Sequence, residues 1–177
     1  KTDVPVSGTD FYPTLLEFAG AELRPDEHSD GMSLVPVLNG ETLPERPLIW
    51  HYPHYGNQDG EPSSIIRSGK WKLIHYYEDG REKLYNLEID LVETTDVSDE
   101  NPELTNQLSK QLFTYLNKVG ARFPVKDPKY NEEREQIFLE QIRTVRMPLL
   151  EEQRLEFLSK DYDPGNNWWG SSHTFSE

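Results

Sequence analysis

Between residues 47 and 90 the chain alternates apolar and polar side chains in runs punctuated by turn residues. Leu48, Trp50 and Tyr52 alternate with Ile49 and His51. Ile65 to Arg67 runs into Ser68-Gly69, Trp71 to Tyr77 follows, and after Asp79-Gly80, a tight-turn signal, Lys83 to Leu87 returns. A period of two places Trp71, Leu73, His75 and Tyr77 on one face. This pattern predicts an antiparallel meander of about four strands, and a sheet with one apolar face must be covered. The cover stands just downstream. Asn101-Pro102 reads as an N-cap followed by proline at the first helical position. Leu104, Leu108, Leu112, Tyr115, Leu116 and Val119 then form one helical stripe, and Gly120 stops it. The fold class expected is α+β: a small antiparallel sheet packed by a following helix.

Upstream, residues 9–20 and 31–40 read as short helices. Thr9 or Asp10 is positioned to cap the first and Ser33 the second. Pro13 and Pro36 fall in first turns, where proline is tolerated, and Gly20 and Gly40 are stop signals. Downstream, Phe123-Pro124 and Asp127-Pro128 predict an extended linker. Residues 131–146 and 148–160 follow as charged helices broken at Met147-Pro148, and then a tail carrying Trp168-Trp169. The expected divisions are therefore 1–46, 47–122 and 123–177. The opening at Lys1, in a strand-like Thr2-Asp3-Val4-Pro5-Val6, reads as a truncated or processed start.

Composition narrows the function. The 18 Lys and Arg against 32 Asp and Glu leave a formal charge of −14, which argues against a nucleic-acid backbone as partner. No apolar run approaches the ~20 residues of a membrane span. The sequence has no Cys, which excludes disulfides, Cys–metal sites and a Cys nucleophile within it. No phosphate-cradling glycine loop, Gly-x-Ser-x-Gly, His-Glu-x-x-His or Asp/Asn cluster with metal-ligand spacing is present. No catalytic or metal-ligating residue is therefore expected in this chain. The segment His51-Tyr52-Pro53-His54-Tyr55-Gly56-Asn57 packs two imidazoles, two phenols and an amide into seven residues. It reads either as a sheet-edge loop contacting a polar ligand or as aromatic plugs with satisfied hydrogen bonds. Arg67, Lys70, Lys72, Arg81 and Lys83 oppose only Glu78, Asp79 and Glu82, the one basic zone of an acidic chain. That zone either accepts an anion or protects strand edges. Trp168-Trp169 reads as a sugar-stacking platform or as an anchor for the tail.

Taken together, several segments resemble a known family. Asp10-Phe11-Tyr12-Pro13-Thr14-Leu15-Leu16-Glu17-Phe18-Ala19-Gly20 is similar to the Asp-x-x-Pro-Thr-Leu-x-x-x-Ala-Gly segment of type I, formylglycine-dependent, arylsulfatase-like sulfatases of the alkaline phosphatase superfamily. Asp30-Gly31-Met32-Ser33-Leu34-Val35-Pro36-Val37-Leu38 resembles the Asp-Gly-x-Ser-Leu-x-Pro-x-Leu segment that follows it. Trp50 to Tyr55, Ile66 to Ile74 and Leu84 to Leu87 resemble the C-terminal subdomain, in the same order, while Leu91 and Asp96 depart from the family's pattern. The resemblance implies the last part of a sulfatase: short helices closing an upstream α/β catalytic domain, then the sheet-and-helix subdomain. It implies a Ca²⁺ ion and a formylglycine nucleophile in the full-length enzyme and none in this chain. It implies as partners the missing N-terminal catalytic domain and a sulfated carbohydrate or aryl sulfate, and a periplasmic or extracellular setting. His51, His54, Tyr55, Asn57 and Arg67 are the substrate-binding candidates. Two alternatives stay open: a stand-alone carbohydrate-binding module, or the equivalent part of a related phosphatase or phosphodiesterase.

Overall fold

A computed structural model describes residues 2–56 and 60–163. Four strands, β1 (Leu48–Tyr52), β2 (Ser63–Ser68), β3 (Trp71–Tyr76) and β4 (Glu82–Asn86), form one antiparallel sheet in the order β1-β2-β3-β4. The register aligns Ile49, Ile66, Leu73 and Leu84 in a single row across all four strands. Three of these are fully buried and Ile49 is partly so. The row is covered by helix α3 (Pro102–Lys118) through Leu108, Leu112 and Leu116. Six buried aliphatic side chains at roughly 1.5–3 kcal/mol each make this contact the main source of cohesion. Trp71 packs into the same cluster and His75 lies against Phe113 of the helix, so the face assigned by the two-residue period is the covered one.

Local chemistry explains the connections. Gly69 supplies a left-handed φ of 55° in the two-residue link between β2 and β3. The β3–β4 link is longer than a tight Asp-Gly turn, because β3 keeps pairing past its end. Tyr77 N donates to Pro62 O (3.0 Å) and Tyr76 N to Arg81 O (3.0 Å), which postpones the reversal to Gly80 at φ 74°. Arg81 then lies 4.0 Å over the Tyr76 ring, held by Glu61 and Asp79. Asn101 stands at the N-cap of α3, but its amide donates to Val97 O (2.9 Å) instead of capping the first turn. Val119, expected in the stripe, sits past the last turn and is exposed.

Two short helices precede the sheet. Helix α1 spans Phe11–Phe18 after a 3₁₀ turn at Gly8–Asp10, and α2 is the four-residue Val35–Leu38. The first ends two residues before Gly20, and the second is a single turn that stops short of Gly40. Ser33 stands one residue outside the cap and accepts from Val35 N (3.2 Å). The chain divides into two compact units, Lys1–Val125 and Lys126–Glu177. In the second, α4 (Glu132–Gln141) is capped by Asn131, whose side chain accepts from Arg134 N. The helix does not break at Met147-Pro148 as expected. A π-turn at Ile142–Arg146 leads directly into α5 (Met147–Phe157), with Met147 N donating five residues back to Ile142 O. The wider turn accommodates a proline that lacks an N–H and crowds a normal helical turn.

Candidate functional site

The segments before, between and after the two short helices converge on one carboxylate. Asp10 is fully buried and accepts from Ser7 N (2.7 Å), Met32 N (2.9 Å) and Arg46 Nη2 (2.6 Å to each oxygen). Burial opposes its charge, but Arg46 and the two backbone N–H groups outweigh that and hold its carboxyl below the ordinary range. Arg46 Nη1 also donates to Asp30 O (2.7 Å), whose carboxylate accepts from Tyr115 OH of α3 (2.7 Å). Thr14 donates to Asp10 O and accepts from Leu34 N. Gly31 is required by contact: a Cβ there would stand 2.2 Å from Thr9 O. The Asp, Pro, Thr and Gly of the two motifs are thus parts of one latch. Its partner Arg46, some 36 residues from Asp10, had no local signature in the sequence.

The second cluster is built around His51, on the helix-facing side of β1. Its Nε2 lies 2.9 Å from Arg122 O, and a carbonyl only accepts, so Nε2 carries the proton. Nδ1 therefore accepts from Ser64 Oγ (2.6 Å), which in turn accepts from Tyr77 OH (2.7 Å). Phe123 stacks edge-on against His51 and Tyr77. His75 Nδ1 meets Glu82 Oε1 at 3.0 Å, and the same oxygen accepts from Ser109. The Ser64–His51 pair is not a nucleophile and base, because Ser64 is completely buried. In this cluster His51 fastens the chain beyond α3 to the first strand.

The candidate residues divide. His54 and Tyr55 are exposed in the β1–β2 connection, with the His54 ring edge-on to Tyr52. His51 is half-buried on the helix-facing side of β1. Asn57 lies outside the described residues, as do Trp168 and Trp169. Arg67 pairs with Leu48, at the opposite end of β1 and on the opposite face from His51. It borders a cleft of about 430 Å³ formed with residues 3–5, 42–46, Gly69, Lys70, Leu87 and Glu88. The sheet therefore does not gather Arg67 with the histidine loop. Among the described residues no three Asp, Glu, His or Cys side chains assemble as a metal would require.

This sheet, helix and latch define a sulfatase C-terminal subdomain. Residues 1–120 match the family described as N-sulphoglucosamine sulphohydrolase, C-terminal, and the chain belongs to that family. It is 36% identical over 136 residues to a sulfatase of Formosa agariphila, covering 68% of this chain and 25% of that protein. It is 33% identical to an N-acetylglucosamine-6-O-sulfatase of Bacteroides thetaiotaomicron, covering 70% of this chain and 22% of that protein. The crystal structure of Ps i-CgsB in complex with k-i-k-neocarrahexaose shares the fold, with a TM-score of 0.51 and 23% identity, over 81% of this chain and 30% of that one. The chain spans about a quarter of the length of the curated relatives it matches.

Proposed function

We infer that this chain is the C-terminal portion of a sulfatase that hydrolyses sulfate esters on a carbohydrate. The observation that carries the reading is the family match over residues 1–120, whose motif residues close on the buried Asp10 latch. The family's description and one relative's name support the substrate class, since both specify a sulfated glucosamine. In this reading residues 1–46 finish the catalytic domain, 47–122 form the subdomain, and 123–177 extend it. Phe11, Leu15 and Phe18, each more than 60% exposed along one side of α1, supply the apolar face that the catalytic domain covers.

The chain contributes scaffold and pocket wall. His54 and Tyr55 contact the substrate from the β1–β2 connection, with Asn57 proposed from the sequence alone, and His51 sets the base of that connection. Arg67, at the far end of the sheet, contacts an anionic group of the same glycan. A calcium ion needs about six to eight oxygen ligands. The described residues offer no such set, and no Cys or Ser stands in the Cys/Ser-x-Pro-x-Arg context of a formylglycine precursor. The described residues do not fit either group, and no step is assigned to them here.

The test is hydrolysis. The full-length protein is expected to release sulfate from a 6-O-sulfated glucosamine with Ca²⁺, and this chain by itself is expected to release none. A full-length enzyme that cleaves phosphate esters and leaves sulfate esters untouched would replace the reading with a phosphatase one. His54→Ala in the full-length enzyme should lower kcat/KM on the glycan by about ten- to a hundredfold if the loop touches substrate.

A further inference from the structure

The face of the sheet turned away from α3 has its own chemistry. The register places Trp50, Ile65, Ile74 and Lys83 in one row there, with Tyr52, Arg67, Lys72 and Tyr76 on the same side. The charges that the strands bring to this face are all cationic: Arg67, Lys72 and Lys83. The one acid on the strands, Glu82, is turned to the opposite face and bound by His75 and Ser109. The loops beside this face add carboxylates, Glu93 on Lys72 and Asp96 near Lys83, which leaves Arg67 as the strand cation to which no acid is bound among the described residues.

The cations are not equally engaged. Lys72 is neutralised by Glu93 at 2.7 Å to both oxygens. Beyond the sheet, Lys70 pairs with Glu88 and Arg46 with Asp10. Among the described residues the Arg67 side chain has no hydrogen-bond or ion-pair partner, and its Nε is buried and unsatisfied. The acids that line the cleft with it are Glu88 and the exposed Asp3 and Glu45. Asp96 stands near Lys83 and is held by Leu84 N and Ser98 N. Alongside, Trp50 and Tyr52 are 42% and 54% exposed on an edge strand. Their flat faces suit the C–H groups of a pyranose, and their polar edges suit its hydroxyls. The exposed face of α1 is Phe and Leu instead, a composition suited to protein.

Resting on the carbohydrate reading above, we propose that this outer face binds a sulfated saccharide. Trp50 and Tyr52 stack on the sugar rings, and Arg67 with Lys83 attract the sulfate groups. Arg67 gains most from such a ligand, since a guanidinium binds an oxyanion through paired N–H donors.

The experiment is calorimetric titration of the intact chain with a heparin-derived tetrasaccharide and with its desulfated counterpart, at low and at near-physiological salt. Saturable binding that weakens with salt is expected, with the desulfated sugar about tenfold weaker or worse. Trp50→Ala should weaken binding about tenfold and Trp50→Phe less. Arg67→Gln should flatten the salt dependence, and Lys83→Gln makes the same test if the Arg67 variant fails to fold. No binding, equal binding of the desulfated sugar, or full affinity in Trp50→Ala each overturns the proposal. It also falls if Trp50→Ala leaves the sugar affinity intact and weakens association with the separately expressed catalytic portion instead. Loss of the sulfatase reading is a separate event: the full-length enzyme would fail to release sulfate while the titration still succeeded.

Discussion

At the scale of single residues, one buried carboxylate organises the chain upstream of the sheet. Asp10 carries its charge in a fully buried position only because Arg46 and two N–H groups face it. Removing that charge leaves a largely buried guanidinium uncompensated. Asp10→Asn is expected to cost about 2–4 kcal/mol, measured by urea denaturation. The sign of the pH dependence follows from the lowered carboxyl. The stabilisation is complete above the ordinary carboxylate value near 3.8 and is lost as pH falls through the lower, folded-state value. Asp96, held down by Leu84 N and Ser98 N against its own burial, loses its share in the same acid range. Asp10→Asn should therefore flatten the acid limb of the stability profile without erasing it. Asp10 reads in the sequence as a side-chain cap of a short helix, but although it stands at the N-cap of α1 its carboxylate bonds no N–H of that helix and turns to Ser7 N, Met32 N and Arg46 instead. Its partners at Met32 and Arg46 were not legible, because pairs formed by folding back over tens of residues leave no periodic trace.

At the scale of elements, the meander and α3 were legible because both carry long, regular apolar patterns with turn residues at their ends. The prediction that belongs here separates the stripe from its fringe. Leu112→Ala, at a position with no exposed surface, should destabilise by about 2–5 kcal/mol in chemical denaturation. Val119→Ala, at an exposed position past the last turn, should change stability by less than about 0.5 kcal/mol. The helix across Met147-Pro148 was misjudged for a specific reason. Proline normally ends a helix, and the π-turn that absorbs it is made by the five residues before it, none of which announces the widening. The loop after β1 was legible as unusual, but whether its histidines point outward was not. His51 and His54 differ by three residues, yet one is fixed between Ser64 and Arg122 while the other is exposed. A partner 71 residues away decided the difference.

For the whole molecule, the family match ends at residue 120, whereas the compact unit runs to Val125. The extra residues are held by His51 on Arg122 O and by Phe123 among the rings of His51, Tyr77 and Phe113. A protease probing the native chain should spare the bonds just after Gly120 and cut beyond Val125, and His51→Ala should shift the first cut several residues earlier. An excision made where kinship ends would sever a tie that folding still uses, and the cooperative body outruns its own ancestry by the length of that short clasp.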